Sequence, residues 1–133
     1  MNNFIFPKLI SFDGHARPDG QIRFMSSTDE FDFDVKRVFW ISDVPEGSLR
    51  GVHAHKKEVQ LLIAMSGVLI VELEGKMGDR SRFVLDSPSK GLIIPAMYWS
   101  SVEFGEQAIL LGMGNMGFDE EDYIRDRDEF DQA

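Results

Sequence analysis

Residues 47–67 read GSLRGVHAHKKEVQLLIAMSG. Two histidines, His53 and His55, stand one residue apart in a run that alternates small, apolar and polar positions. On a β-strand, residues two apart point to the same side, so the two imidazoles project together, ~6.6 Å apart along the backbone. The apolar runs LLIAM and VLIVELE follow, split by Ser66-Gly67. This break predicts a tight hairpin in the middle of a buried sheet.

The rest of the chain repeats that pattern. Short apolar runs at 4–12, 22–26, 37–42, 50–55, 59–65, 68–74, 81–85, 91–94, 98–104 and 108–114 are candidate strands. Turn signals separate them at Pro18-Asp19-Gly20, Pro45-Glu46-Gly47, Glu74-Gly75, 87–90 and Gly105. Many short strands at this spacing predict a β-sandwich or barrel rather than βαβ units. Only the ending FDEEDYIRDRDEF (118–130) departs from it. Its early acids predict a short helix packing Tyr123, Ile124 and Phe130 onto the sandwich.

Composition bounds the function. With 133 residues, 43% of them hydrophobic, the chain suits a single domain spanning 1–133. The absence of cysteine excludes disulfides, thiolate nucleophiles and Cys-ligated metals. The net charge of −9 disfavours nucleic acid, although −6 of it lies in residues 118–133. The N-terminus lacks the basic start and long apolar run of a signal peptide. The apolar stretch at 61–65 is too short to cross a bilayer. A cytoplasmic protein is the expectation.

Spacing adds chemistry. Gly47 precedes His53 by six residues, Gln60 follows His55 by five, and Gly67 follows Gln60 by seven. With the second block GLIIPAMYWS (91–100), this resembles the paired motifs of the cupins and implies an all-β jelly roll, or double-stranded β-helix, with a short C-terminal helix. Gln60 and Ser100 stand where metal-binding cupins usually have Glu and His. Two imidazoles, an amide and a hydroxyl make a poor donor set for a transition metal, so no metal and no cofactor are expected. His15 is placed in an exposed polar turn. A metal-free imidazole pair, titrating near ~6.5, suits acid–base work beside a carbonyl, through an enediol.

A narrower resemblance rests on RGVHAHKKEVQ, LLIAMSGVLIVELEG, LDSPSKGLIIPAMYWS and FDEEDYIRDRDEF. Together they resemble the nucleotide-sugar 3,4-ketoisomerases, the WxcM-like or FdtA-like cupins. The resemblance implies a metal-free homodimer that moves the ketone of dTDP-4-keto-6-deoxy-glucose from C4 to C3, in deoxyamino-sugar and lipopolysaccharide biosynthesis. It implies His53 as the base that removes the C3 proton and His55 as the partner that helps return a proton at C4. Arg50 is assigned to the pyrophosphate or the sugar, and Lys57 (with Lys56) to the cationic cluster a nucleotide diphosphate needs on an acidic protein. Gln60 and Ser100 complete the sugar pocket, Trp99 lines it beside Tyr98, and Arg125 reaches a phosphate. Trp40 and the methionines are read as core. The family often has Tyr at the position of Phe39, where this chain lacks the hydroxyl. The apolar segment 4–10 is read as an edge strand that seeks a second copy. Other readings of the same residues are a non-catalytic sugar-nucleotide-binding cupin, a metal-dependent cupin enzyme, or a 3,5-epimerase.

Overall fold

The structure is a computed structural model that describes residues 5–26 and 34–133. Twelve strands follow one another as β1 (Lys8–Ser11), β2 (Asp13–Arg17), β3 (Gly20–Phe24), β4 (Arg37–Ile41), β5 (Leu49–His55), β6 (Gln60–Ser66), β7 (Leu69–Glu74), β8 (Arg80–Leu85), β9 (Lys90–Ile94), β10 (Trp99–Phe104), β11 (Ile109–Gly114) and β12 (Tyr123–Ile124). A 3-10 turn, Glu120–Asp122, precedes β12, and a short helix, α1 (Arg127–Gln132), follows it. Two antiparallel five-stranded sheets face each other, ordered β1-β9-β6-β11-β4 and β12-β5-β10-β7-β8. This is the jelly roll. Among the described residues no helix is long and apolar enough to cross a membrane.

Alternation along the strands builds the core. Leu62, Leu69, Val71, Leu73, Leu92, Val102, Phe104 and Leu110 meet between the sheets. Burying each such side chain is worth ~1.5–3 kcal/mol. The outer face of the first sheet is also apolar, with Ile10, Phe12, Leu61, Ile63 and Ile93 forming a second cluster. β6 is therefore covered on both faces, which explains its unbroken LLIAM run.

Several expectations are corrected. The Ser66-Gly67 break is not a hairpin: β6 pairs with β9 and β11, whereas β7 pairs with β8 and β10, so the chain changes sheets there. Apolar runs buried on an inner face look alike whether they neighbour each other or lie across the core. The segment 13–17 is not a loop but β2, and His15 pairs with Ile22 on an exposed two-stranded hairpin. Of the N-terminal run, strand structure begins at Lys8, and Phe4 lies outside the described residues. β1 pairs with β9 at the edge of the first sheet. Trp40 is no core residue; it is 70% exposed on edge strand β4.

The ending is divided more finely than one helix. Asp119 caps the 3-10 turn and Asp126 caps α1, each side chain accepting a backbone N–H two residues on. Between the caps, β12 adds to the edge of β5, with Tyr123 opposite His55 and Ile124 opposite Ala54. Ile124 and Phe130 then bury against Ala54.

Candidate active site

A cavity of about 600 Å³ opens between the sheets. β4 supplies Arg37 and Phe39 to its wall, β5 supplies Arg50 and His53, and β6 supplies Gln60. β10 supplies Ser100, and the segment after β11 supplies Phe118, Tyr123 and Arg125. Val102, Phe104 and Leu110 close the apolar floor.

β5 presents His53 through a bulge. Ser100 pairs with His53 but Val102 with Arg50, so β5 carries one extra residue there. Gly51 takes the bend at φ 64°, a left-handed value. The Ser100 hydroxyl lies 2.8 Å from the Gly51 carbonyl and 3.1 Å from that of His53. Its proton is thus committed to the backbone of the bulge. Gly112 makes room for Phe39 on the neighbouring strand β4, since a Cβ there would sit 2.2 Å from the Phe39 ring.

The two histidines do not share the cavity equally. His53 lines it, while His55 lies behind, with the ring centroids 4.9 Å apart and the planes nearly perpendicular. His55 Nδ1 is 3.1 Å from Asp122 Oδ2 and 3.4 Å from Glu58 Oε1. These carboxylates place the ring proton on Nδ1, so Nε2 keeps the lone pair. That Nε2 is buried and has no hydrogen-bond partner among the described residues. Asp122 is held in turn by the backbone N–H groups of Lys57 and Glu58.

Arg37 ties this layer to the cavity. It donates to Glu58 Oε1 at 3.1 Å and to the Tyr123 hydroxyl at 3.3 Å. Gln60 Nε2 also donates to Glu58 Oε1, at 3.1 Å. Tyr123 packs against both imidazoles, at 5.0 Å from His53 and 4.3 Å from His55. Arg125 lies over its outer face at 4.3 Å and pairs with Glu120.

Electrostatics follow from this crowding. Burial, then the neighbouring His55, Arg125 and Arg37, push the His53 pKa down to about 4 against a weaker pull from Glu120. Burial also lowers His55, opposed by its hydrogen bond to Asp122. Burial raises Glu58, opposed by Arg37 and Gln60. Both imidazoles are neutral at pH 7 and can accept a proton.

Of the residues singled out in the sequence, Arg50, His53, Gln60, Ser100 and Arg125 meet at the cavity. Trp99 does not: it points outward and packs on Phe130 and Arg127. Lys57 is exposed past the end of β5, and only its backbone joins the network. Arg37, Glu58 and Asp122 were not anticipated, and Tyr123 was expected only to pack. Their signal is a charged or polar group kept within an apolar frame, as Asp122 is, 6% exposed in the otherwise solvated acidic ending. His55, Glu58 and Asp122 also bring three potential metal donors within 4.8 Å. Their oxygens are already engaged by Arg37, Gln60 and two backbone N–H groups, apart from the unpartnered, buried Glu58 Oε2. The Arg37 guanidinium on Glu58 and the His55 ring proton between the two carboxylates already supply the positive partners, so a cation would compete with both and the donor set fits an ion poorly.

Comparison with known proteins identifies the family and agrees with the fold. The family described as FdtA, WxcM-like, C-terminal, matches residues 6–133. TDP-4-oxo-6-deoxy-alpha-D-glucose-3,4-oxoisomerase of Aneurinibacillus thermoaerophilus is 32% identical over 124 residues, covering 92% of this chain and 88% of the relative. The sugar 3,4-ketoisomerase QdtA of Thermoanaerobacterium thermosaccharolyticum, solved with TDP, superposes with a TM-score of 0.89 at 31% identity, covering 98% of this chain and 95% of that one. A mutant of QdtA solved with TDP-4-keto-6-deoxyglucose gives 0.89 at 30% identity, covering 98% and 94%.

Proposed function

Since the chain belongs to the FdtA, WxcM-like family, we propose that it converts TDP-4-keto-6-deoxyglucose to its 3-keto isomer by proton transfer at His53. It is an isomerase of the sugar-nucleotide 3,4-ketoisomerase class. The observation that carries the residue assignment is the setting of His53. One neutral imidazole stands in the cavity wall among Arg37, Arg50 and Arg125, three guanidinium groups on a chain of net charge −9. Such a local cationic site suits a nucleotide diphosphate.

His53 takes the proton from C3 and returns one to C4 through an enediol. His55 acts through His53, as a positioning residue fixed by Asp122. A bound diphosphate offsets the push of Arg125 and Arg37 on His53 and strengthens it as a base when substrate is present. Gln60 sets one wall of the sugar pocket, and Arg50 and Arg125 hold the phosphates.

The working form is a homodimer. Ile22, Phe24 and Met65 are exposed on or beside the outer face of the first sheet, around a groove of about 430 Å³ that Phe12, Leu111 and Met113 also line. The β2–β3 hairpin bonds only to itself among the described strands, and an isolated hairpin is marginal in water. A second copy covers both features. A cysteine-free acidic chain acting on a nucleotide sugar suits the cytoplasm.

The test is product NMR of the purified protein with TDP-4-keto-6-deoxyglucose. The wild type forms the 3-keto isomer. His53→Asn loses turnover by about a hundredfold or more and still binds TDP. Binding without turnover by the wild type would favour a non-catalytic sugar-nucleotide-binding protein.

A further inference from the structure

Moving a ketone from C4 to C3 transfers two hydrogens. One passes from carbon to carbon, the other from the C3 hydroxyl to the C4 oxygen. One imidazole handles the first, and the second needs a group that can give and retake a proton at oxygen. Besides the arginines, the described residues lining the cavity include two that can do so, His53 and Tyr123. No carboxylate lines it, Phe39 has no hydroxyl, and the hydroxyl of Ser100 is committed to the backbone of β5.

We propose that Tyr123 is a catalytic residue that shuttles the oxygen-borne proton between O4 and O3. This rests on the isomerase reading. The phenol is built for the task. Both terminal nitrogens of Arg37 lie 3.3 Å from its oxygen, so the oxygen accepts and its own proton stays free to be given. Arg37 on one side and Arg125, 4.3 Å over the ring, stabilise the phenolate left behind. The ring centroid sits 5.0 Å from that of His53, so one sugar can meet both groups. β12 fixes this position by pairing Tyr123 with His55.

The steps balance. His53 takes the C3 proton while the C3–H pair becomes the C3–C4 double bond. The C4 carbonyl pair then takes the Tyr123 proton, which gives the enediol and a phenolate. The phenolate next removes the O3 proton as the C3 carbonyl forms, and the double-bond pair takes the proton of His53 at C4. Both residues return to their starting state.

The experiment measures kcat and KM of Tyr123→Phe beside the wild type. Phenylalanine keeps the ring against His53, His55 and Arg125 and removes only the hydroxyl. The expected result is a kcat lower by about a hundredfold or more. KM then stays within about threefold, with TDP binding retained. An active wild type with a variant kcat within about threefold of it overturns this proposal alone. A wild type without turnover overturns the isomerase reading and this proposal with it. Should the variant fold poorly, global replacement of tyrosine by 3-fluorotyrosine gives the second reading. The chain has two tyrosines, and the hydroxyl of Tyr98 bonds Asp79, outside the cavity lining. Ring fluorination acidifies the phenol, so the alkaline limb of kcat moves to lower pH. His53, His55, Arg37, Arg125 and Glu58, which surround the ring, are unaltered by the replacement. An alkaline limb that stays in place overturns the proposal.

Discussion

His53 and Trp99 show how far single residues could be read. The His-x-His spacing gave a shared face, and the structure keeps both rings on one side of β5. Spacing could not give depth, which places His53 in the cavity and His55 behind it, because depth depends on Asp122, 67 positions further on. Trp99 and Ser100 were both expected at the pocket, yet neighbours on a strand face opposite ways. Ser100 faces in, so Trp99 faces out. The altered histidines also set a pH dependence. The pKa of His53 falls from 6.5 to about 4 on folding. Between these values the unfolded chain binds a proton that the native chain does not, so stability drops as pH falls through this window. His55 acts in the same direction. Glu58 runs the other way, because its raised pKa favours the native state below 4.5 and loses that contribution as pH rises. The His53 window, from 6.5 down to about 4, contains pH 5, so the urea midpoint is expected to be lower at pH 5 than at pH 7. His53→Gln should flatten that slope, and a slope unchanged by it would remove His53 as its source.

At the level of elements, the strands of the sandwich were legible because apolar alternation is local. Their pairing was not. LLIAM and VLIVELE are adjacent in sequence but lie in facing sheets, a choice settled by long-range partners such as β11 for β6 and β10 for β7. The ending was harder still, since β12 is a two-residue strand set by the distant open edge of β5 and by the burial of Ile124 against Ala54. The bulge at Gly51 is the element on which the site turns. A Cβ there would meet nothing closer than 3.8 Å, so the cost of a side chain is the left-handed backbone alone. Gly51→Ala is expected to lower unfolding free energy by about 1–2 kcal/mol in urea titrations. It should also lower kcat/KM, since relief of the strain flattens the bulge and turns His53. Unchanged turnover would mean that the bend does not aim the imidazole.

For the whole molecule, the two faces of the first sheet divide the work. Its inner face closes the core and the cavity, and its outer face holds the groove and the exposed Met65, with Phe24 of the β2–β3 hairpin beside it. The proposed dimer predicts a two-chain mass by sedimentation at micromolar concentration. Phe24→Asp combined with Met65→Asp should yield a one-chain mass with the strand signal of the fold retained. A wild type that sediments as one chain at all concentrations would rule out the covering copy. Asp122, Tyr123 and Arg125 follow every strand of the sandwich except β12, so one short segment carries three of the groups around the proposed site. Proteolytic removal of residues 118–133 is expected to strip Tyr123 and Arg125 from the cavity and Ile124 and Phe130 from Ala54, so a clipped chain loses the proposed chemistry together with part of its packing.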